Sequence, residues 1–177
     1  MAFRDLREFI DRLDQQGELL RIKDEVDWHL EMGAIGRRAL DLRAPAPLFE
    51  NVKGYPPGYR VVAGLTGGSS PSLHARVALS LGLPPDTSPQ DLVETFCQRT
   101  ERPLPPVRAA EAPCQEEVFL GPDVDVLRLP VPWVHACDGG RYLGTWNICV
   151  TKDPDTGWVN WGLYRVMVHD GRTLGIL

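Results

Sequence analysis

Asn160, Gly162 and Arg165 stand inside a run, Gly157-Trp-Val-Asn-Trp-Gly-Leu-Tyr-Arg-Val-Met-Val-His-Asp170, that otherwise reads as one long β-strand. An asparagine presents a neutral carbonyl oxygen, a ligand suited to a hard cation such as Mg²⁺ or Mn²⁺ that also holds a phosphate. An arginine presents a planar fork matched to a carboxylate or phosphate. Glycine inside a strand marks a bulge, or a place where a ligand or another backbone comes close. In a regular strand residues 160 and 165 point to opposite faces. A bulge at Gly162 would shift that parity and turn both side chains towards one ligand. The chemistry suggested is a phosphorylated cofactor beside a carboxylate substrate. On spacing alone, a surface arginine and a turn-proximal asparagine are the preferred account.

The elements that must position these residues follow from periodicity. Phe3, Leu6, Phe9, Ile10 and Leu13 recur at helical spacing, and Gly17 supplies a stop. From Glu18 to Trp28 the period falls to two, with Leu20, Ile22, Val26 and Trp28 on one face of a half-exposed strand. Met32, Ile35, Ala39 and Leu42 form a second helical stripe, ended by Pro45 and Pro47; Leu48–Val52 and Arg60–Leu65 are strand candidates. The loop from Gly64 to Pro71 lacks the spacings of phosphate-binding loops. Ser70 as N-cap and Pro71 as first-turn proline are the preferred account of it, opening a helix with Leu73, Val77 and Leu81 on one side. Ser88 and Asp91 set up a capping box for a further helix with Leu92 and Phe96 inward.

Glu101 to Pro113 holds four prolines and little periodicity. It divides an N-terminal α/β domain, residues 1–100, from a strand-rich part at 114–177, with 101–113 as linker. In that second part, Tyr142–Thr151 alternates: Tyr142, Trp146, Ile148 and Val150 face one way, and Thr145, Asn147, Cys149 and Thr151 the other. Lys152 to Gly157 is turn chemistry, Trp158–His169 is the partner strand, and Asp170-Gly171 turns into a third strand at 172–177. A meander with one apolar face needs further cover. The expectation is therefore the front part of a longer protein.

The net charge of −5 argues against nucleic acid as the main partner. No apolar run approaches the roughly 20 residues of a membrane span, and the N-terminus lacks a secretory h-region. Cys97, Cys114, Cys137 and Cys149 are widely spaced, which fits reduced thiols in the cytoplasm better than disulfides or a zinc site.

The stretch Asn160-Trp-Gly-Leu-Tyr-Arg165 resembles the N-x-x-x-x-R core of the UbiD family of prenylated-FMN-dependent decarboxylases. Its surroundings do so too: Pro130-Val-Pro132, His135, Asp138-Gly-Gly-Arg-Tyr142 and Thr145. The N-terminal "DLREFIDRLDQQGELLRI", "LFENVKGYP" and "APCQEEVF" are likewise similar to that family's first domain, so the resemblance covers essentially the whole chain.

The resemblance implies an α/β (α+β) architecture: a small α/β domain followed by the beginning of a flavin-reductase-like split β-barrel. It implies that Asn160 ligates a divalent metal, Mn²⁺ or Mg²⁺ with K⁺ as a further ion, and that the metal bridges to the phosphate of prenylated FMN. Thr145, Asn160, Trp161, Gly162, Leu163, Tyr164 and Arg165 would contact that cofactor, and Arg165 would orient the substrate carboxylate and pair with a catalytic acid. The activity implied is reversible, non-oxidative decarboxylation of an aromatic or α,β-unsaturated acid. A flavin prenyltransferase would supply the cofactor, and the whole protein would be a homo-oligomer. The remaining metal ligands, a His and a Glu, and the proton-donating Glu lie beyond residue 177 in the family, so the expectation is that these 177 residues alone are inactive. His135 is read as structural and His169 as an exposed strand end near a turn, too close to Arg165 to be the ligand His of the family, and Cys137 and Cys149 carry no motif for a nucleophile. The alternatives are a non-catalytic flavin-binding accessory subunit and a flavin-reductase-like module, which needs no such asparagine.

Overall fold

The computed structural model describes residues 3–69, 72–105 and 107–177. The chain forms two compact units, one of Met1–Lys23, Ile35–Glu50 and Arg60–Val118, the other of Asp24–Ala34, Asn51–Tyr59 and Phe119–Leu177. The architecture is mixed α/β with small sheets.

In the first unit, helix α1 (Leu6–Gln15) buries Phe9, Ile10 and Leu13. Asp5 caps its start by accepting the Glu8 N–H at 2.9 Å. Its end is a Schellman turn: Gly17, at φ +71°, donates to the Asp14 carbonyl, and Glu18 donates to the Leu13 carbonyl at 2.8 Å. Strand β1 (Leu19–Ile22) then pairs in parallel with β2 (Ala46–Phe49), after a connection that contains α2 (Glu31–Asp41). The two-residue β3 (Val61–Val62) runs antiparallel to β2, giving the order β1-β2-β3. Phe9, Ile10, Leu13, Leu19, Ala46, Leu48 and Leu79 make the core.

Several expectations are corrected here. β1 is four residues rather than eleven, and Leu19 faces the core while Leu20 is exposed. Arg21, two residues after Leu19, reaches Asp14 of α1 at 2.8 Å and Glu50 at 2.5 Å. β2 begins two residues before the expected Leu48 and includes Pro47 at the middle of the sheet. Proline is tolerated because the short β3 ladder pairs only Leu48 and Phe49, while the Pro47 carbonyl still accepts the Ala63 N–H at 3.0 Å. Ser70 and Pro71 lie outside the described residues. Helix α3 (Ala75–Ser80) opens only at Ala75 and buries Ala75, Arg76, Ala78 and Leu79, whereas Leu73 is exposed. In α4 (Pro89–Thr100) the Ser88 cap forms as expected, its Oγ accepting the Asp91 N–H at 3.1 Å, and Leu92 is buried, but Phe96 is exposed.

Periodicity gave no sign of the polar centre of this unit. The Arg76 guanidinium and the Glu18 carboxylate, with side chains 5% and 7% exposed, meet at 3.0 Å. Glu18 also accepts the Ser69 hydroxyl at 2.7 Å, and Arg76 donates to the carbonyls of Ala44, at 2.8 Å, and Gly64. A Cβ at Gly67 would stand 3.3 Å from the guanidinium, so the glycine-rich loop is wrapped around an internal cation.

In the second unit, β4 (Arg141–Gly144), β7 (Val166–Val168) and β8 (Leu174–Ile176) form an antiparallel sheet in the order β4-β7-β8. β5 (Ile148–Lys152) and β6 (Val159–Leu163) form a separate hairpin. Its turn is held by the Asp153 carboxylate, which accepts the N–H groups of Thr156 at 2.7 Å and Asp155 at 2.9 Å; these bonds hold that carboxyl below the usual carboxylate range. Each of the two long strands expected at 142–151 and 158–169 is thus broken in two. The breaks fall opposite one another, at Thr145–Asn147 and Tyr164–Arg165, so the ribbon changes sheets there.

No helix of the described residues is long and apolar enough to cross a membrane.

Candidate functional site

β6 pairs with β5 in unbroken register, Thr151 opposite Asn160 and Cys149 opposite Gly162. The expected bulge at Gly162 is therefore absent; the interruption lies two residues later. Alternation along β6 puts Asn160 and Gly162 on the face shared with Cys149 and Thr151. Trp161 and Leu163 lie on the opposite face with Ile148 and Val150, and all four are exposed, Trp161 at 67%. The structure thus separates the sequence-derived residues. Only the backbone of Trp161 and Leu163, not their side chains, adjoins the face that carries Asn160.

Tyr164 follows β6 and folds back over it. Its hydroxyl accepts a hydrogen bond from Asn160 Nδ2 at 3.1 Å. A Cβ on Gly162 would collide with Cε2 of the Tyr164 ring and stand 2.9 Å from Cζ, so the ring lies across the glycine. Close approach of a ring, rather than a special φ, is what requires glycine here. Because the clashing atoms are the far end of an exposed side chain with room to turn aside, Gly162→Ala is expected to cost less than about 1 kcal/mol, well under an ordinary core overpacking. Urea denaturation of the chain checks this; a loss of several kcal/mol would place the ring in a rigid packing instead.

Arg165 has the opposite character. Its backbone N–H and carbonyl pair with Leu177 at 3.1 and 3.2 Å, prolonging the β7–β8 ladder, while its side chain is exposed. Among the described residues the guanidinium has no ion pair or hydrogen bond. A charge fixed at its root and unengaged at its tip is available to an anion.

Thr145 is exposed and sits in the bend with Trp146, not within a strand. Within the bend lies Asn147, to which the sequence assigned no role. The Asn147 side chain packs against Gly144, where a Cβ would stand 2.5 Å from its Cγ, and its Nδ2 lies 3.2 Å from Cys149 Sγ. Its Oδ1 is buried without a hydrogen-bond partner among the described residues. The register shift between Tyr142 and Gly144 accompanies this bend. A glycine three residues before an asparagine, inside an alternating run, was the available signal.

No group of three or more His, Cys, Asp or Glu side chains among the described residues could hold a metal ion. On this face Asn160 supplies one neutral amide oxygen, beside the Thr151 hydroxyl and the Cys149 thiol. That fits a cation whose other ligands come from elsewhere and does not make a complete site.

Two family models match the chain. Residues 10–96 match the 3-octaprenyl-4-hydroxybenzoate carboxy-lyase N-terminal domain, and residues 106–177 match the Rift-related domain of the same carboxy-lyase. The chain belongs to the UbiD family. Pyrrole-2-carboxylic acid decarboxylase of Pseudomonas aeruginosa is 44% identical over 174 residues, which cover 96% of this chain and 35% of that protein. Ferulic acid decarboxylase 1 of Saccharomyces cerevisiae is 34% identical over 95% of the chain and 35% of its own length. Among solved structures, the closed form of vanillic acid decarboxylase from Sedimentibacter hydroxybenzoicus superposes with a TM-score of 0.87 at 35% identity, over 99% of this chain and 37% of that one. An evolved dimeric form of the UbiD-class enzyme HmfF from Pelotomaculum thermopropionicum, in complex with prenylated FMN, gives 0.81 at 32% identity, over 99% and 38%. The chain thus spans about a third of the length of the curated relatives it matches.

Proposed function

We propose that this UbiD-family chain is the N-terminal portion of a prenylated-FMN-dependent carboxy-lyase acting on an aromatic or α,β-unsaturated carboxylic acid. Residues 1–100 would serve as the α/β domain, 101–113 as linker, and 114–177 as the start of the cofactor-binding split barrel. The observation that carries the reading is the face of β6, where an amide whose nitrogen is occupied at 3.1 Å stands beside a glycine, together with Arg165, three residues after that glycine and past the strand's end, whose exposed side chain makes no bond among the described residues. The relatives support it through their decarboxylase names and the HmfF complex with prenylated FMN.

Asn160 Oδ1 would ligate a Mn²⁺ or Mg²⁺ ion shared with the cofactor phosphate, and the other protein ligands would come from outside these 177 residues. When bound, the cofactor supplies the electron sink for loss of CO₂. Arg165 would hold the substrate carboxylate by two parallel N–H···O bonds and fix its orientation. Thr145 and the backbone of residues 161–164 would line the flavin. Free acid substrate, a flavin prenyltransferase as supplier and a homo-oligomeric whole protein in the cytoplasm complete the reading; relatives include a dimeric form and a vanillic acid decarboxylase complex.

Asn160→Ala in the whole protein tests it. Metal content and flavin absorbance of the purified protein are expected to fall together, about 10-fold or more. Retention of both at the parent level would remove Asn160 from the site.

A further inference from the structure

Asn160 and Gly162, spaced by two, share one face of β6, and Tyr164, two residues further on and just past the strand's end, folds its ring back over that face. The spacing has a consequence for the amide. A primary amide offers a nitrogen that donates and an oxygen that accepts, and in a free side chain rotation by a half-turn exchanges them. In this structure the nitrogen end of the amide is the one turned to Tyr164. Its hydroxyl oxygen accepts a hydrogen bond from Nδ2 at 3.1 Å, and Asn160 Oδ1 is left in no hydrogen bond among the described residues. The ring can lie in the required place only because position 162 has no side chain; a Cβ there would stand 3.0 Å from the hydroxyl oxygen itself.

We infer that Tyr164 is a positioning residue: through its hydroxyl it locks the Asn160 amide with the oxygen presented to a divalent cation. This rests on the metal-ligand reading of Asn160. Two effects act in the same direction. The lock reduces the rotamer freedom that Asn160 would otherwise lose on binding the ion. Donation from the amide nitrogen also draws electron density towards the carbonyl, which strengthens the oxygen as a ligand. Tyr164 therefore has a function apart from any contact with flavin, and Gly162 is the residue that makes room for it.

The test is Mn²⁺ titration of the whole protein with FMN supplied, followed by the electron paramagnetic resonance of free Mn²⁺, on three variants. Tyr164→Phe keeps the ring and deletes the hydroxyl; it is expected to weaken Mn²⁺ binding about 10–100-fold, the usual cost of removing a group that orients a metal ligand, with an unchanged melting temperature. Tyr164→Leu, which removes ring and hydroxyl, is expected to be no worse for Mn²⁺ than Phe. Parent-like Mn²⁺ affinity in Tyr164→Phe, beside a large loss in Asn160→Ala, would overturn this inference and leave the ligand role of Asn160 standing. A loss in Leu but not in Phe would overturn it as well, by assigning the effect to packing. If Asn160→Ala itself binds Mn²⁺ like the parent, the metal-ligand reading fails, and the inference falls with it.

Discussion

In the whole protein, Arg165→Ala is expected to lower the decarboxylation rate constant about 10²–10³-fold, the range seen when one preorganised donor is removed from a reacting centre. Metal and flavin content should stay at the parent level, because the Arg165 backbone, not its side chain, holds the strand in register. Its N–H and carbonyl pair with Leu177 whatever the side chain is. The loss should fall mainly on kcat if the guanidinium orients the carboxylate as the bond breaks, and on KM if it only gathers substrate. Arg165→Lys should recover little, since a point charge does not reproduce a two-pronged fork. Undiminished turnover in Arg165→Ala would remove it from the reaction.

The second large effect concerns stability. Arg76→Ala leaves the Glu18 carboxylate buried with only Ser69 to satisfy it, and the carbonyls of Ala44 and Gly64 lose their shared donor. Removing one partner of a buried pair costs about 3–5 kcal/mol, a large share of the stability of a domain this size. Urea denaturation should show the midpoint moving down with little change in slope. The double variant Glu18→Leu with Arg76→Met should recover part of the loss, because no uncompensated charge remains. A loss below about 1 kcal/mol in Arg76→Ala, the scale of a surface pair, would mean that water reaches the pair freely.

Local rules and tertiary packing differ in how far they can be read from a sequence. Helix α1 was legible because local rules agree: an Asp5 cap, a stripe at Phe9, Ile10 and Leu13, and a terminal Gly17. The Ser88 cap was legible for the same reason. Arg76 was not, because its partners Glu18, Ala44 and Gly64 are brought to it by tertiary packing, and no local period marks a buried cation. Phe96 and Leu73 fit helical stripes yet are exposed, since a stripe shows which face is apolar and not whether anything covers it.

Asn160, Gly162 and Arg165 were singled out for chemistry, and Asn160 with Gly162 does share a face with an unusual neighbour. The mechanism imagined for bringing Asn160 and Arg165 together, a bulge at Gly162, is replaced by a break at Tyr164–Arg165 that hands the chain from the β5–β6 hairpin to the β4-β7-β8 sheet. Alternation in 142–151 and 158–169 concealed that break, because each half keeps its own period of two. Gly144 and Asn147, whose side chain needs the glycine's missing Cβ, were the residues from which the bend could have been read.

The most direct measurement is anomalous diffraction at the manganese edge from crystals of the whole protein with Mn²⁺ and prenylated FMN bound. The account predicts a manganese peak about 2.0–2.6 Å from Asn160 Oδ1, with the cofactor phosphate on the same ion, in the range for oxygen ligands of hard cations. A manganese ion bound elsewhere, with the Asn160 amide outside its coordination sphere, would contradict it.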